Sequence, residues 1–262
     1  MMLRCHRPSP RPRGCPLALL EVDNVSVRFG GLQALRAVSL TVEPGVVCGL
    51  IGPNGAGKTT LFNVITGLQR ASNGNIRIGG RDVTNSNVDR RAGLGIARTF
   101  QKLEAFNSLS ARDNVLVAAE QASRARRKGR TPASVADEAL ERTGLTQFSD
   151  ITVGTMPTPT ARLVELARAL ATGPDLLLLD EASSGLNDQE TARVGKVLRE
   201  LVDATGLSVL LVEHDMSFVM GLCTSIHVLD LGEMIASGTP AEIQADARVQ
   251  VAYLGTTVGE TT

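Results

Sequence analysis

The segment Gly52-Pro53-Asn54-Gly55-Ala56-Gly57-Lys58-Thr59 constrains this chain more than any other feature. It satisfies the pattern G-x-x-x-x-G-K-[ST], a loop whose backbone N–H groups turn inward around phosphate oxygens. Side chains would block that approach, so the turn positions need glycine. Lys58 adds a point charge for the outer phosphates, and Thr59 offers a hydroxyl to Mg²⁺. Such a loop works between a buried strand and a helix N-terminus, where the helix dipole favours anions. Both neighbours are legible: residues 46–51 form a short apolar run, and Leu61, Val64, Ile65 and Leu68 recur at helical spacing. A bland glycine-rich turn would have neither. Nucleotide binding is therefore expected, through Asn54, Gly55, Ala56, Gly57, Lys58, Thr59 and Thr60.

Strands and helices alternate around the loop. Residues 17–29 and 35–43 alternate partly in the strand manner on either side of Gly30-Gly31, and residues 75–78 read as another strand. Residues 97–161 carry helical pieces and no long apolar strand. Leu176-Leu177-Leu178-Leu179 is apolar on both faces, as in a buried parallel sheet. A helix is expected over residues 188–204, with Val194, Leu198 and Leu201 on one face, and a second buried strand over 207–212. Residues 225–231 and 234–236 flank Gly232-Glu233 as a hairpin. The pattern predicts an α/β fold with a parallel sheet covered by helices on both faces. No internal repeat is visible, so one nucleotide site per chain is expected. Residues 1–16 are rich in Pro and Arg without an apolar stretch, and read as a disordered leader rather than a secretory signal.

Composition narrows the function classes. No apolar run approaches the roughly 18 residues that span a bilayer, so a membrane role must pass through partners. The 27 basic and 27 acidic residues balance, which gives no global footprint for nucleic acid. Aromatic residues are only 3% of the chain and Trp is absent, which argues against a stacking platform for single strands. The four cysteines lack CxxC spacing, so neither a zinc site nor a disulfide framework is expected. The basic run Arg124, Arg126, Arg127, Lys128 and Arg130 reads as a solvated helix end or loop.

A second motif follows the apolar strand at Asp180-Glu181. A carboxylate at the end of a buried strand beside a phosphate loop can hold Mg²⁺ through water, which suits Asp180. Glu181, one residue further, can polarise an attacking water. The competing reading is a polar strand end that caps the next helix.

Taken in order, these motifs resemble the nucleotide-binding subunit of ATP-binding cassette (ABC) transporters over residues 17–255. The resemblance implies a P-loop NTPase (RecA-like) parallel core with an N-terminal antiparallel β subdomain and a helical signature subdomain. The core would comprise residues 17–96 and 162–255, and the helical unit residues 97–161. It further implies that Phe29 stacks on adenine and that Gln101, in Arg98-Thr99-Phe100-Gln101, contacts Mg²⁺ and the attacking water. His214, in Val212-Glu213-His214-Asp215, matches the switch histidine that reaches the γ-phosphate and orients Glu181. The implied catalytic set is Glu181, His214 and Gln101, the implied metal set Thr59, Gln101 and Asp180, and the cofactors ATP and Mg²⁺. Ser184-Gly185-Leu186-Asn187 resembles the loop that crosses the dimer interface, though the family more often ends it in Asp, and Ala182 replaces the usual Pro.

One departure matters. Where the family typically has Leu-Ser-Gly-Gly-Gln before a helix, this chain has Met156-Pro157-Thr158-Pro159-Thr160. That segment closes over the nucleotide of the other subunit in the family, and Pro157 and Pro159 have no N–H to give.

Residues 49–67, Gly95-Ile96-Ala97-Arg98-Thr99-Phe100-Gln101 and Ala252-Tyr253-Leu254-Gly255 resemble importers of branched-chain amino acids; urea or short-amide importers look similar there. The implied setting is peripheral, on the cytoplasmic face of the plasma membrane. The implied partners are transmembrane permease subunits, a second ATP-binding subunit that is either a different chain, the favoured reading, or a second copy of this one, and an extracytoplasmic substrate-binding protein acting indirectly, with no nucleic acid. Soluble cassette ATPases that never meet a membrane form the alternative, but they usually carry two cassettes or a long coiled-coil insertion. A nucleotide-binding module with little turnover is a third reading, motivated by the altered signature and opposed by Glu181 and His214.

Overall fold

The computed structural model describes residues 18–99 and 104–254; the leader over residues 1–16 and Gln101 lie outside them. Its centre is β3 (Val47–Ile51), whose five residues are all buried. β3 runs parallel to β8 (Ser208–Val212) on one side and β9 (Ser225–Asp230) on the other. β8 continues to β7 (Leu176–Asp180), and β7 to the short β6 (Ile96–Arg98), all parallel. β10 (Glu233–Gly238) closes the far edge as the antiparallel arm of a hairpin with β9.

Strand alternation explains why the central strands are apolar throughout. Val47, Ile51, Leu177, Leu179, Val209 and Leu211 feed one core, and Cys48, Leu50, Leu176, Leu178, Leu210 and Val212 the other. The first core is completed by helices, including α3 (Ala111–Gln121), α4 (Pro132–Arg142), α5 (Thr158–Ala171), α6 (Asp188–Thr205) and α7 (Met216–Leu222). The second is covered by α1 (Lys58–Thr66), through Leu61, Phe62 and Ile65, and by an antiparallel sheet. That sheet has the order β2-β1-β4-β5, from β1 (Leu20–Phe29), β2 (Leu32–Val42), β4 (Asn73–Ile78) and β5 (Arg81–Asp82). Each buried Leu or Ile contributes about 1.5–3 kcal/mol, so a strand that is apolar on both faces is anchored twice over. The architecture is the expected α/β phosphate-loop fold with an antiparallel β unit.

The expected divisions at 96/97 and 161/162 do not follow the elements. β6 pairs with β7 in register, Ile96 opposite Leu176 and Arg98 opposite Leu178, so residues 97 and 98 belong to the core sheet. Three residues are too few to show alternation. α5 begins at Thr158 and runs through the second division, packing with α3 and α4. Its proline-bearing first turn reads locally as loop.

The basic run is also less solvated than expected. Arg126 Nη1 lies 2.6 Å from Asp175 Oδ2, and its Nε donates to the Gly93 carbonyl at the end of α2 (Val88–Gly93). Arg127 donates to the Ala122 carbonyl and Arg130 pairs with Glu138. Arg126 therefore staples the loop after α3 to the core. No described helix is long and apolar enough to cross a membrane.

Candidate functional site

The phosphate loop leaves β3 at Gly52, where φ is +154° and a Cβ would sit 2.0 Å from the Leu229 carbonyl oxygen. At Gly57, φ is +106° and a Cβ would meet Leu35 Cδ2 at 2.7 Å and the Ala34 carbonyl at 2.9 Å. Both positions exclude any side chain because the loop packs directly against Leu229 of β9 and Ala34 and Leu35 of β2, and their backbone conformations are ones that glycine adopts freely. Gly57 caps α1 in a left-handed conformation with no side-chain hydrogen bond to the helix. The first N–H groups of α1 therefore keep their capacity for an anion. Asn54 and Gly55 are exposed at the loop tip, Ala56 is buried beneath it, and Thr59 and Thr60 open the helix.

Lys58 is only 7% exposed. Its Nζ donates to the Gly52 carbonyl at 2.6 Å and the Pro53 carbonyl at 2.9 Å. Burial lowers its pKa, opposed by the charges of Glu181 and Asp180. The ammonium is thus held across the loop before any phosphate arrives. The C-terminal α9 (Ala247–Leu254) brings Tyr253 to the same point: the Gly52 backbone hydrogen-bonds its phenol, and burial pushes the phenol up to about 12.

Asp180 ends β7, 5% exposed, and its Oδ2 accepts from Arg98 Nη2 at 2.9 Å. Glu181 follows with φ +51°, a left-handed turn uncommon outside glycine, while its N–H still extends the ladder to the Val212 carbonyl at 2.9 Å. The turn aims its carboxylate at His214, whose Nε2 lies 2.9 Å from Glu181 Oε1. A carboxylate only accepts, so this contact uses the Nε2 proton. Glu213, beside His214, is 2% exposed. It accepts from the Ser183 N–H (2.7 Å), the Ser183 hydroxyl (2.8 Å) and the His214 N–H (3.2 Å). Burial raises its pKa, and these three donors oppose the shift. One buried carboxylate therefore fastens the loop after Glu181 to the strand end that bears His214.

Phe29 sits at the end of β1, 48% exposed, so it is not a core residue. Asn187 caps α6, accepting from the Glu190 N–H at 3.0 Å while Glu190 accepts from the Asn187 N–H at 2.9 Å. Asn serves this cap as well as Asp, which accounts for the departure at that position. At α5, Pro157 is the cap and Pro159 lies in the first turn, while the Ala161 N–H is spent on the Pro157 carbonyl at 3.0 Å. Only the Thr158 and Thr160 N–H groups remain at that helix end.

A sequence profile described as ABC transporter matches residues 35–184, more than half of the chain. The chain belongs to the ABC transporter family. A second profile, the branched-chain amino acid ATP-binding cassette transporter C-terminal segment, matches residues 233–258. The cassette is 37% identical to the high-affinity branched-chain amino acid transport ATP-binding protein BraF of Pseudomonas aeruginosa, over 90% of this chain and 98% of that protein. It is 34% identical to the lipopolysaccharide export system ATP-binding protein LptB of Escherichia coli K12, over 91% and 98% of the two chains. Among solved structures, the ADP conformation of MJ1267, an ATP-binding cassette of an ABC transporter, superposes with a TM-score of 0.80 at 28% identity. That match covers 91% of this chain and 99% of the other. The cassette is accordingly a nucleotide-binding ATPase subunit.

The motifs that contain Arg98 and Glu213 point to Gln101 and His214 rather than to them, and Ser183 stands in none. Glu213 and Arg98 read in isolation as surface charges, and only the order of the sheet reveals that they are buried and paired.

Proposed function

We propose that the chain is the ATPase subunit of an importer for branched-chain amino acids. The C-terminal profile over residues 233–258 and the 37% identity to BraF, against 34% to an export protein, support that cargo and direction. The observation that carries the catalytic assignment is the 2.9 Å contact between Glu181 and His214 beside the phosphate loop.

In this reading the N–H groups of residues 55–60 and the Lys58 ammonium bind the phosphates, and Phe29 stacks on the base. Glu181 accepts the proton of the attacking water as a general base, and His214 fixes its carboxylate and senses the outer phosphate. Among the described residues no three His, Cys, Asp or Glu cluster around a common point. A cation would thus lean on the oxygens of Thr59, Asp180 and the nucleotide, a donor set that suits Mg²⁺. When bound, Mg²⁺ neutralises charge that develops on the phosphates. Gln101 would join it from the segment between β6 and α3.

Permease subunits would dock in the groove of about 350 Å³ between α2, β6 and the helices α3 and α5, lined by Leu68, Val88, Ala97, Ala118 and Ala169. In this reading the cassette sits peripherally on the cytoplasmic face of the membrane. A second, different ATP-binding subunit would complete the dimer, because the two prolines at α5 leave this chain poorly equipped to close on a partner's nucleotide. A substrate-binding protein outside the membrane would choose the cargo.

The test is Glu181→Gln. The purified variant is expected to bind ATP like wild type and to turn over 10²–10⁴-fold more slowly, and cells carrying it should lose uptake of radiolabelled leucine. Normal hydrolysis would remove Glu181 from catalysis; lost hydrolysis with intact leucine uptake would remove the cargo.

A further inference from the structure

Arg98 is buried where an arginine needs a reason. Its side chain is 7% exposed, and its two terminal nitrogens are committed in different directions. Nη2 donates to Asp180 Oδ2 at 2.9 Å, and Nη1 donates to Asn63 Oδ1 at 2.6 Å on α1. Its guanidinium carbon lies 5.4 Å from the centre of the Phe62 ring. One planar group thus joins β6, the end of β7 and the helix that issues from the phosphate loop. Arg98 is also three residues ahead of Gln101, and the Thr99 N–H still donates to the Leu178 carbonyl at 3.0 Å.

We infer that Arg98 is a positioning residue for the divalent cation, holding the Asp180 carboxylate in the orientation from which it receives the metal. The inference rests on the assignment of Asp180 to that cation.

Removing the guanidinium has two opposed consequences. It deletes a positive charge near a cation site, which favours the metal, and it unties a carboxylate that is 5% exposed and has little access to solvent. The second effect wins because a buried carboxylate stripped of its ion-pair partner must find another donor or cation. Once released, Asp180 loses the orientation from which it receives the metal. Arg98 satisfies Asp180 on one oxygen, Oδ2, and ties it through Asn63 to α1. A fixed fork suits that task better than the flexible stem of a lysine.

Mn²⁺ serves as a paramagnetic probe for the Mg²⁺ site. Its binding to the full chain with a non-hydrolysable ATP analogue is read by electron paramagnetic resonance, and nucleotide binding in EDTA is read separately with a fluorescent ATP. Arg98→Gln is expected to weaken Mn²⁺ about tenfold while metal-free nucleotide affinity stays within twofold of wild type. Asn63→Ala, which keeps the ion pair but removes its second anchor, should weaken Mn²⁺ two- to threefold. Asp180→Asn serves as the reference. If Asp180→Asn loses Mn²⁺ and Arg98→Gln does not, the inference is wrong while the assignment of Asp180 stands. If Asp180→Asn binds Mn²⁺ like wild type, the assignment falls and the inference with it. Should Arg98→Gln fail to fold, unchanged Mn²⁺ affinity in Asn63→Ala overturns the inference on its own.

Discussion

His227 shows how one buried side chain makes stability depend on pH. It lies in β9, with Nε2 donating to the Thr41 carbonyl at 3.1 Å and Nδ1 accepting from the Ser237 hydroxyl at 2.8 Å. This tautomer ties the core sheet to β2, at the edge of the antiparallel sheet. Burial lowers its pKa, with the Thr41 carbonyl opposing the shift. A histidine whose folded pKa is depressed contributes stability that is present above its unfolded value near 6.5 and is lost as pH falls through the folded value. His227→Gln should therefore cost about 1–3 kcal/mol at pH 7.5 through its lost hydrogen bonds, and the gap to wild type should narrow as the pH is lowered toward 5. Thermal melts of both proteins across that range check this, and a gap that widens with acid would contradict it. Residues of this kind mark the limit of what the sequence displays. The phosphate loop, Asp180, Glu181 and His214 stand in local patterns, because loop chemistry and strand ends are written in consecutive residues. Arg98, Glu213 and His227 acquire their surroundings from strands distant in the chain, and nothing adjacent to them records it.

At the scale of the element, α5 departs furthest from what its place in the fold demands. Its cap is a proline, its first turn holds a second, and no side chain caps it. It keeps its amphipathic register all the same, burying Leu163, Val164, Leu166 and Ala167, so packing rather than capping holds it. The family resemblance implies a helix after Thr160, but not its true start, because prolines are tolerated in a first turn and yet read as breaks. If α5 faces a partner's nucleotide, each missing donor could cost on the order of 2.7–4 kcal/mol of transition-state stabilisation. The double substitution Pro157→Ser with Pro159→Gly should then raise the ATPase rate of the purified chain at least tenfold. No gain would show that this helix end does not limit turnover, and the argument for a different partner subunit would lose its support.

For the molecule as a whole, the strand order β10-β9-β3-β8-β7-β6 seats a strand from the first fifth of the chain between two from its last quarter. The phosphate loop rests on this late-arriving quarter: the Gly232 N–H donates to the Ala56 carbonyl at 2.9 Å, and the Gly232 carbonyl accepts from the Arg36 N–H at 2.8 Å. A fragment ending at residue 205 would hold the complete phosphate-loop sequence, Asp180 and Glu181, but neither neighbour of β3. Such a fragment should show no saturable ATP binding by equilibrium dialysis, and micromolar binding would mean that the loop forms without its sheet. The same topology governs how the protein is made. Both neighbours of β3 begin more than 150 residues after it, since β3 starts at Val47 and β8 at Ser208. At about 5–20 residues per second, a ribosome exposes β3 for roughly ten to thirty seconds before either neighbour exists. Throughout that interval β3 stands without either sheet neighbour, so its apolar faces are exposed to wrong association until synthesis is nearly complete.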